Sequence, residues 1–176
     1  MIGSENSPIL CAGVDLGLSG GIVALDNRNQ IHAQWTFRKI DEPRRSTVHS
    51  VIAEVIETLG PVRLVIEQPP FMQRGGATNA NAICGLWREF GQVLASVDMF
   101  ALEFATVTPV QWQSRFWKRE DAKTLGLNSK QMALRAVAQF WPNWSGSTRA
   151  GAKPHEGLVD AALLALWGKT QIWGNS

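Results

Sequence analysis

Apolar and polar positions along this chain change period several times, and each change predicts an element. Residues 9–16 form a nearly unbroken apolar run, of a length suited to a buried strand. Residues 17–21 carry three glycines and read as a tight turn, residues 22–25 as a second strand, and 26–29 (Asp-Asn-Arg-Asn) as a hairpin turn. Residues 30–37 alternate and close a three-stranded antiparallel meander. The period then switches to that of a helix. Ser46 or Thr47 is a candidate cap, and Val48, Val51, Ile52, Val55, Ile56 and Leu59 share one face before Gly60-Pro61 stops the run. Residues 62–67 are again a buried strand, ended by Pro69-Pro70. A strand that follows a crossover helix is expected to pair in parallel.

Beyond it, residues 71–78 read as a glycine-bearing loop, 79–97 as a long helix, and 101–107 as a fifth strand. Thr108-Pro109 opens a short helix with Trp112, Phe116 and Trp117, and 118–128 reads as an exposed loop. Ser129 is expected to cap a helix to Trp141, residues 144–153 form a loop, and 155–169 form a last, Ala/Leu-rich helix. The order suits an α/β fold, a mixed five-stranded sheet flanked by helices. No internal repeat or long linker divides it, so residues 9–170 are expected to be one domain between a flexible start (1–8) and a short tail (171–176).

Composition changes this picture little. At 45% hydrophobic residues, general disorder is unexpected. No apolar run reaches the roughly 18 residues of a membrane span, and residues 1–8 lack the pattern of a signal peptide, so a cytoplasmic protein is expected. Cys11 and Cys84 lie in apolar stretches and read as two buried thiols. Charge distribution says more than the net +2. Residues 112–153 hold eight basic side chains against Glu120 and Asp121, which puts that stretch at +6 and the remainder at −4. A basic segment beside an acidic remainder suits contact with nucleic-acid phosphates.

The acids carry the chemistry. Asp15 and Glu67 each end an apolar strand run, where a lone carboxylate is costly unless paired or metal-bound. If the first and fourth strands are neighbours, both reach one end of the sheet. Glu156 and Asp160, four apart, share one face of the last helix. Acids early in a helix also gain from its dipole, so that explanation stands beside the functional one. Four carboxylates from three segments suit hard cations such as Mg²⁺ or Mn²⁺, two of which can drive phosphodiester hydrolysis.

Gly13-Val14-Asp15-Leu16-Gly17 with Ser19-Gly20-Gly21, Val65-Ile66-Glu67-Gln68, Phe71-Met72 and the helix after it, Thr108-Pro109 with Trp112, Ser129-Lys130, Phe140-Trp141-Pro142, and residues 155–161 (His-Glu-Gly-Leu-Val-Asp-Ala) resemble, in order, the motifs of RuvC-type Holliday junction resolvases, in their phage and poxvirus-like branch. The resemblance spans about residues 9–168. It implies an RNase H-like fold and a homodimeric endodeoxyribonuclease that resolves four-way DNA junctions by paired nicks, using two Mg²⁺ or Mn²⁺ ions. It maps catalysis and metal binding onto Asp15, Glu67 and Asp160. Some relatives carry an acid three residues before the last ligand and some a histidine; here that position is Gly157, so Glu156, or else His155, is the expected fourth ligand. Phe71 and Arg74 in the loop after Glu67, with Lys118, Arg119, Lys130 and Lys153, are the candidate DNA contacts. The long helix, through Ile83, Leu86, Trp87, Phe90 and Leu94, is a candidate dimer interface or core, and the Trp112/Trp117 pair a further interface candidate. The same fold and site would serve a nuclease for flaps or other branched DNA, or a non-catalytic junction-binding protein. Asp15-Leu16-Gly17 with Gly20-Gly21 also resembles the phosphate hairpin of actin-like ATPases. Those need two related lobes, so no nucleotide cofactor is expected.

Overall fold

The computed structural model describes residues 10–17, 19–37, 48–70, 80–148 and 151–174. The elements are β1 (Leu10–Asp15), β2 (Gly21–Leu25), β3 (Ile31–Thr36), α1 (Val48–Leu59), β4 (Val62–Glu67), α2 (Ala80–Met99), β5 (Phe104–Val107), α3 (Pro109–Phe116), α4 (Arg119–Leu125), α5 (Ser129–Phe140) and α6 (Glu156–Gln171). The Ser46/Thr47 cap, the terminal tract 1–8 and the loop with Phe71 and Arg74 lie outside the described residues.

The five strands form one sheet in the order β3-β2-β1-β4-β5. β1, β2 and β3 are an antiparallel meander, while β4 joins β1 and β5 joins β4 in parallel. This is the RNase H-like topology. Strand side chains alternate between two apolar layers. Ala12, Val14, Leu64 and Ile66 face α1 and α2, whereas Cys11 and Val65 face α6 with α3 and α5 beyond it. By the same alternation Gly13, Asp15 and Glu67 belong to the α6 side.

Gly13 explains how close α6 comes. A Cβ there would stand 2.0 Å from the Ala161 carbonyl oxygen and 2.6 Å from the Ala165 nitrogen. Strand β1 and helix α6 therefore meet backbone to backbone, with alanines on the helix side.

Several expectations need correction. Residues 119–125 are a helix, α4, not a loop. They carry no apolar stripe for periodicity to register, but Glu120 and Asp121 sit in the first turn and Gly126, at φ 64°, ends it in the left-handed region. Helix α5 is capped by Asn128, whose side chain accepts the Gln131 N–H at 3.0 Å, and not by Ser129, which is its first residue. The fifth strand starts at Phe104, because α2 runs on to Met99 and Ala101 turns at φ 49°. Cys11 is buried, but Cys84 is exposed, being on the outer side of α2. No described helix is long and apolar enough to cross a membrane.

Candidate active site

β1 and β4 run in parallel with Val14 beside Ile66, so Asp15 and Glu67 end adjacent strands at the same edge of the sheet. Helix α6 starts beside that edge and brings Glu156 and Asp160. A hollow beyond the strand ends is lined by Asp15, Gly17, Glu89, Glu156, Gly157 and Asp160.

Gly157 shows how tightly α6 seats there. An added Cβ would lie 1.9 Å from the Ser19 carbonyl oxygen and 2.9 Å from Asp15 Oδ2. The first turn of α6 thus packs on the turn after β1, and no side chain fits at position 157. The absence of an acid three residues before Asp160 is a consequence of that packing.

The carboxylates feel one another. Burial raises the pKa of Asp15 well above its ordinary value, and the charges of Glu67, Asp160, Glu156 and Glu89 raise it further. Asp160 is pushed up to about 7 by burial, then by Glu67 and Glu156, with Lys130 opposing. Burial also raises Glu67, against which the Trp112 indole works by donating Nε1–H to Glu67 Oε2 at 2.6 Å. Trp112 is fully buried, so it is a core residue that orients Glu67 and not a surface available for an interface.

Glu156 and His155 part company in the structure. Glu156 lines the hollow and receives Lys130 Nζ at 2.5 Å, with both side chains more than half exposed. His155 precedes α6, and its backbone N–H is held by the Gly146 carbonyl at 2.7 Å. Burial holds its imidazole below the usual pKa, and its Nδ1 is buried without a hydrogen-bond partner. It does not line the hollow with Asp15 and Asp160.

The donor set is all oxygen and mutually repelling, which suits a hard divalent cation. Among the described residues, no three His, Cys, Asp or Glu side chains converge closely enough to form a finished coordination group. A cation would have to draw these acids inward. Of the candidate DNA contacts, Lys130 and Lys153 line a second hollow with Glu156 and Asp160, next to the acids. Lys118 and Arg119 line a different hollow with Val110 and Trp117. Ile83, Leu86, Trp87 and Leu94 of α2 are half-buried and Phe90 is buried in the α1/α2 layer.

Sequence reasoning missed Glu89, which is 8% exposed on α2 and accepts the Gly17 N–H at 3.1 Å. The signal was present. Position 89 is three after Leu86 and four before Val93, inside the apolar stripe of the helix, where a carboxylate is out of place.

Thermus thermophilus RuvC in complex with a Holliday junction substrate superposes with a TM-score of 0.64 at 16% identity, over 96% of this chain and 97% of that one. A second Thermus thermophilus RuvC structure gives 0.57 at 17% identity, over 95% and 97%. The fold is that of RuvC. No protein-family model and no curated relative matches the sequence. The likeness to RuvC is therefore one of architecture along nearly the full length of both chains.

Two expectations follow from the site. Trp112→Phe keeps most of the apolar volume but removes the donor to Glu67. Partners of this kind are worth about 10–100-fold in metal affinity, so Mn²⁺ titration calorimetry should show a loss in that range. Unchanged affinity would mean that the indole bond does not orient Glu67 for binding.

The second concerns pH. Asp160 has a folded-state pKa of about 7 against an ordinary 3.8, so the folded protein holds that proton more tightly than the unfolded chain does. Its contribution to stability is complete below the unfolded value and is lost as pH rises to about 7. Asp15 and Glu67 act in the same direction. In chelator, the melting temperature should fall as pH rises from about 4 to about 7, and Mg²⁺ should restore most at the upper end, where the acids are deprotonated. Asp160→Asn should flatten the fall; a wild-type profile without any decline would show that the acids are not crowded.

Proposed function

We propose that this chain is a divalent-cation-dependent endodeoxyribonuclease that resolves four-way DNA junctions by paired symmetric nicks. The observation that carries the reading is the meeting of Asp15 and Glu67, on adjacent parallel strand ends, with Asp160 and Glu156 on a helix packed against them. Supporting it are the RuvC architecture and the junction substrate held by the Thermus protein.

Asp15, Glu67, Asp160 and Glu156 would hold Mg²⁺ or Mn²⁺. Two such ions supply an activated water and stabilisation of the departing 3′ oxygen, which leaves a 5′-phosphate nick. The chain's own residues do the rest. The Trp112 indole fixes one oxygen of Glu67 and so turns the carboxylate. The backbone contact of α6 with β1 fixes where Asp160 stands relative to Asp15. Lys130 and Lys153, beside the acids, would take phosphates of the strand being cut, leaving the acids to the cations. Phe71, Arg74, Lys118 and Arg119 are proposed as further DNA contacts. Two symmetric cuts call for two identical sites, hence a homodimer.

The test is an immobile four-way junction and a matched linear duplex, each incubated with and without Mg²⁺. Paired, symmetric, ligatable nicks on the junction alone and only with metal are expected. Equal cutting of the duplex or preferential cutting of flaps would replace the junction reading with a broader nuclease. Tight binding without cutting would replace it with a structural junction-binding role.

A further inference from the structure

The acids at the start of α6 stand between two hollows. On one side Glu156 and Asp160 share a hollow with Lys130 and Lys153. On the other, the same two acids and Asp15 face the first half of α2. This second hollow is acidic, and Arg88 is the one basic side chain among its described lining residues.

Arg88 is exposed in the interior of α2, so the helix fixes its backbone while its guanidinium is open to solvent. The ion pairs between described residues, Arg63 with Glu103 and Lys130 with Glu156, leave it out. Nor does it serve as counter-charge to the buried acids. The cation that opposes the negative charge at Asp160 is Lys130, and the charges acting on Asp15 are all carboxylates.

Gly85, one turn before Arg88, lines the same hollow. Glycine inside a helix is destabilising relative to alanine. Packing does not demand it here, because a Cβ added at Gly85 would meet no described atom within 4 Å. The contrast is with Gly13 and Gly157, where a Cβ would strike backbone. Gly85 leaves the wall beside Arg88 bare, so that another chain can approach it closely. A planar cation with five N–H donors beside a bare strip of helix is chemistry that suits a phosphodiester.

We propose that Arg88 binds a backbone phosphate of the strand being cut, on the side of the scissile bond opposite to that held by Lys130 and Lys153, with Gly85 giving the sugar-phosphate chain room. The inference rests on the junction-nuclease reading above and adds a contact to it. The scissile phosphate then lies over the acids with its neighbours held at both walls, which offsets the repulsion between an anionic strand and the carboxylates.

Single-turnover cleavage of the immobile junction in Mg²⁺, with the concentration of full-length protein varied, is the measurement. For Arg88→Gln the half-saturating concentration should rise about 10-fold, with the saturating rate changed less. Its salt dependence should be shallower by about one phosphate contact, and Arg88→Lys should recover part of the loss. Gly85→Ala should melt at or above wild type yet need more protein for half-saturation, a combination that damage to the fold does not produce. Junctions carrying one uncharged methylphosphonate, on either side of the cut, locate the contact. A linkage on one side should weaken wild type but not weaken Arg88→Gln further; the linkage across the cut should behave so toward Lys130→Gln. Wild-type half-saturation in Arg88→Gln would overturn the proposal, and so would equal sensitivity of wild type and Arg88→Gln to every linkage. A change of oligomeric state in Arg88→Gln, read by light scattering, would overturn it in favour of a subunit contact. If wild type cuts the junction and Arg88→Gln cuts it at the same concentrations, this inference alone fails. If wild type cuts no junction, the nuclease reading fails with it.

Discussion

Asp15→Asn should cost about three orders of magnitude or more in junction nicking, the scale on which sites lose activity when a group that stabilises transition-state charge is removed. Asp15 is the most crowded of the acids, since Glu67, Asp160, Glu156 and Glu89 all act on it. Asparagine keeps its shape and one acceptor oxygen but cannot offset a dication. Junction binding should stay within a few-fold of wild type, because the phosphate contacts proposed above are basic side chains. Without metal the variant should melt higher than wild type, as the repulsion at the centre of the cluster is gone. Single-turnover cleavage, gel-shift binding and melting in chelator read the three effects. Undiminished nicking would refute Asp15 as a cation ligand, and a lower melting temperature would mean that it serves the fold.

Gly13→Ala should produce the largest loss of stability. The methyl would need space now held by the Ala161 carbonyl oxygen and the Ala165 nitrogen, at 2.0 and 2.6 Å. Backbone atoms in mid-helix cannot rotate aside, so α6 must lift from β1 and open the layer that holds Leu158, Ala162 and Leu164. Overpacking usually costs about 1–3 kcal/mol and sometimes more; here about 3 kcal/mol is expected. For a chain of this size that is roughly 6–12 °C in melting temperature. The same lift would carry Asp160 from Asp15, so Mn²⁺ affinity should fall too. A variant melting within about 2 °C of wild type, on the same scale, would show that the helix slides and that the contact is not tight.

Much of this architecture is legible in the sequence because buried strands and amphipathic helices leave strong periods. Helix α1 and strand β4 lie where the pattern puts them, at Val48–Leu59 and Val62–Glu67, with Gly60-Pro61 between. Parallel pairing of β4 with β1 followed from the crossover helix, and with it the meeting of Asp15 and Glu67. Helix α4 was hidden because a helix that buries no residue has no hydrophobic period. The burial of Trp112 and its bond to Glu67 join residues 45 apart in the chain, a relation no local spacing encodes. Glu89 was hidden for a different reason. A helix of many apolar residues reads as core or interface, and one acid in its stripe passes for a surface position until the fold shows which way it points. Gly157 read as a gap in a ligand pattern, whereas the structure makes it a contact.

The site is divided between parts of the molecule that should not open together. Asp15 and Asp160 belong to β1 and to the body of α6, which are joined through backbone contact and whose neighbouring apolar residues are buried. Glu156 is the first residue of its helix and half in solvent, and Glu89 rides on α2, whose hold on the core is Phe90, Val93 and Val97. Segments with fewer buried contacts open locally at lower free energy than the centre does. Amides of α2 should therefore exchange with solvent before those around Asp160. Heat inactivation and unfolding would then be separate events, with the α2 wall of the hollow lost while the sheet is still intact.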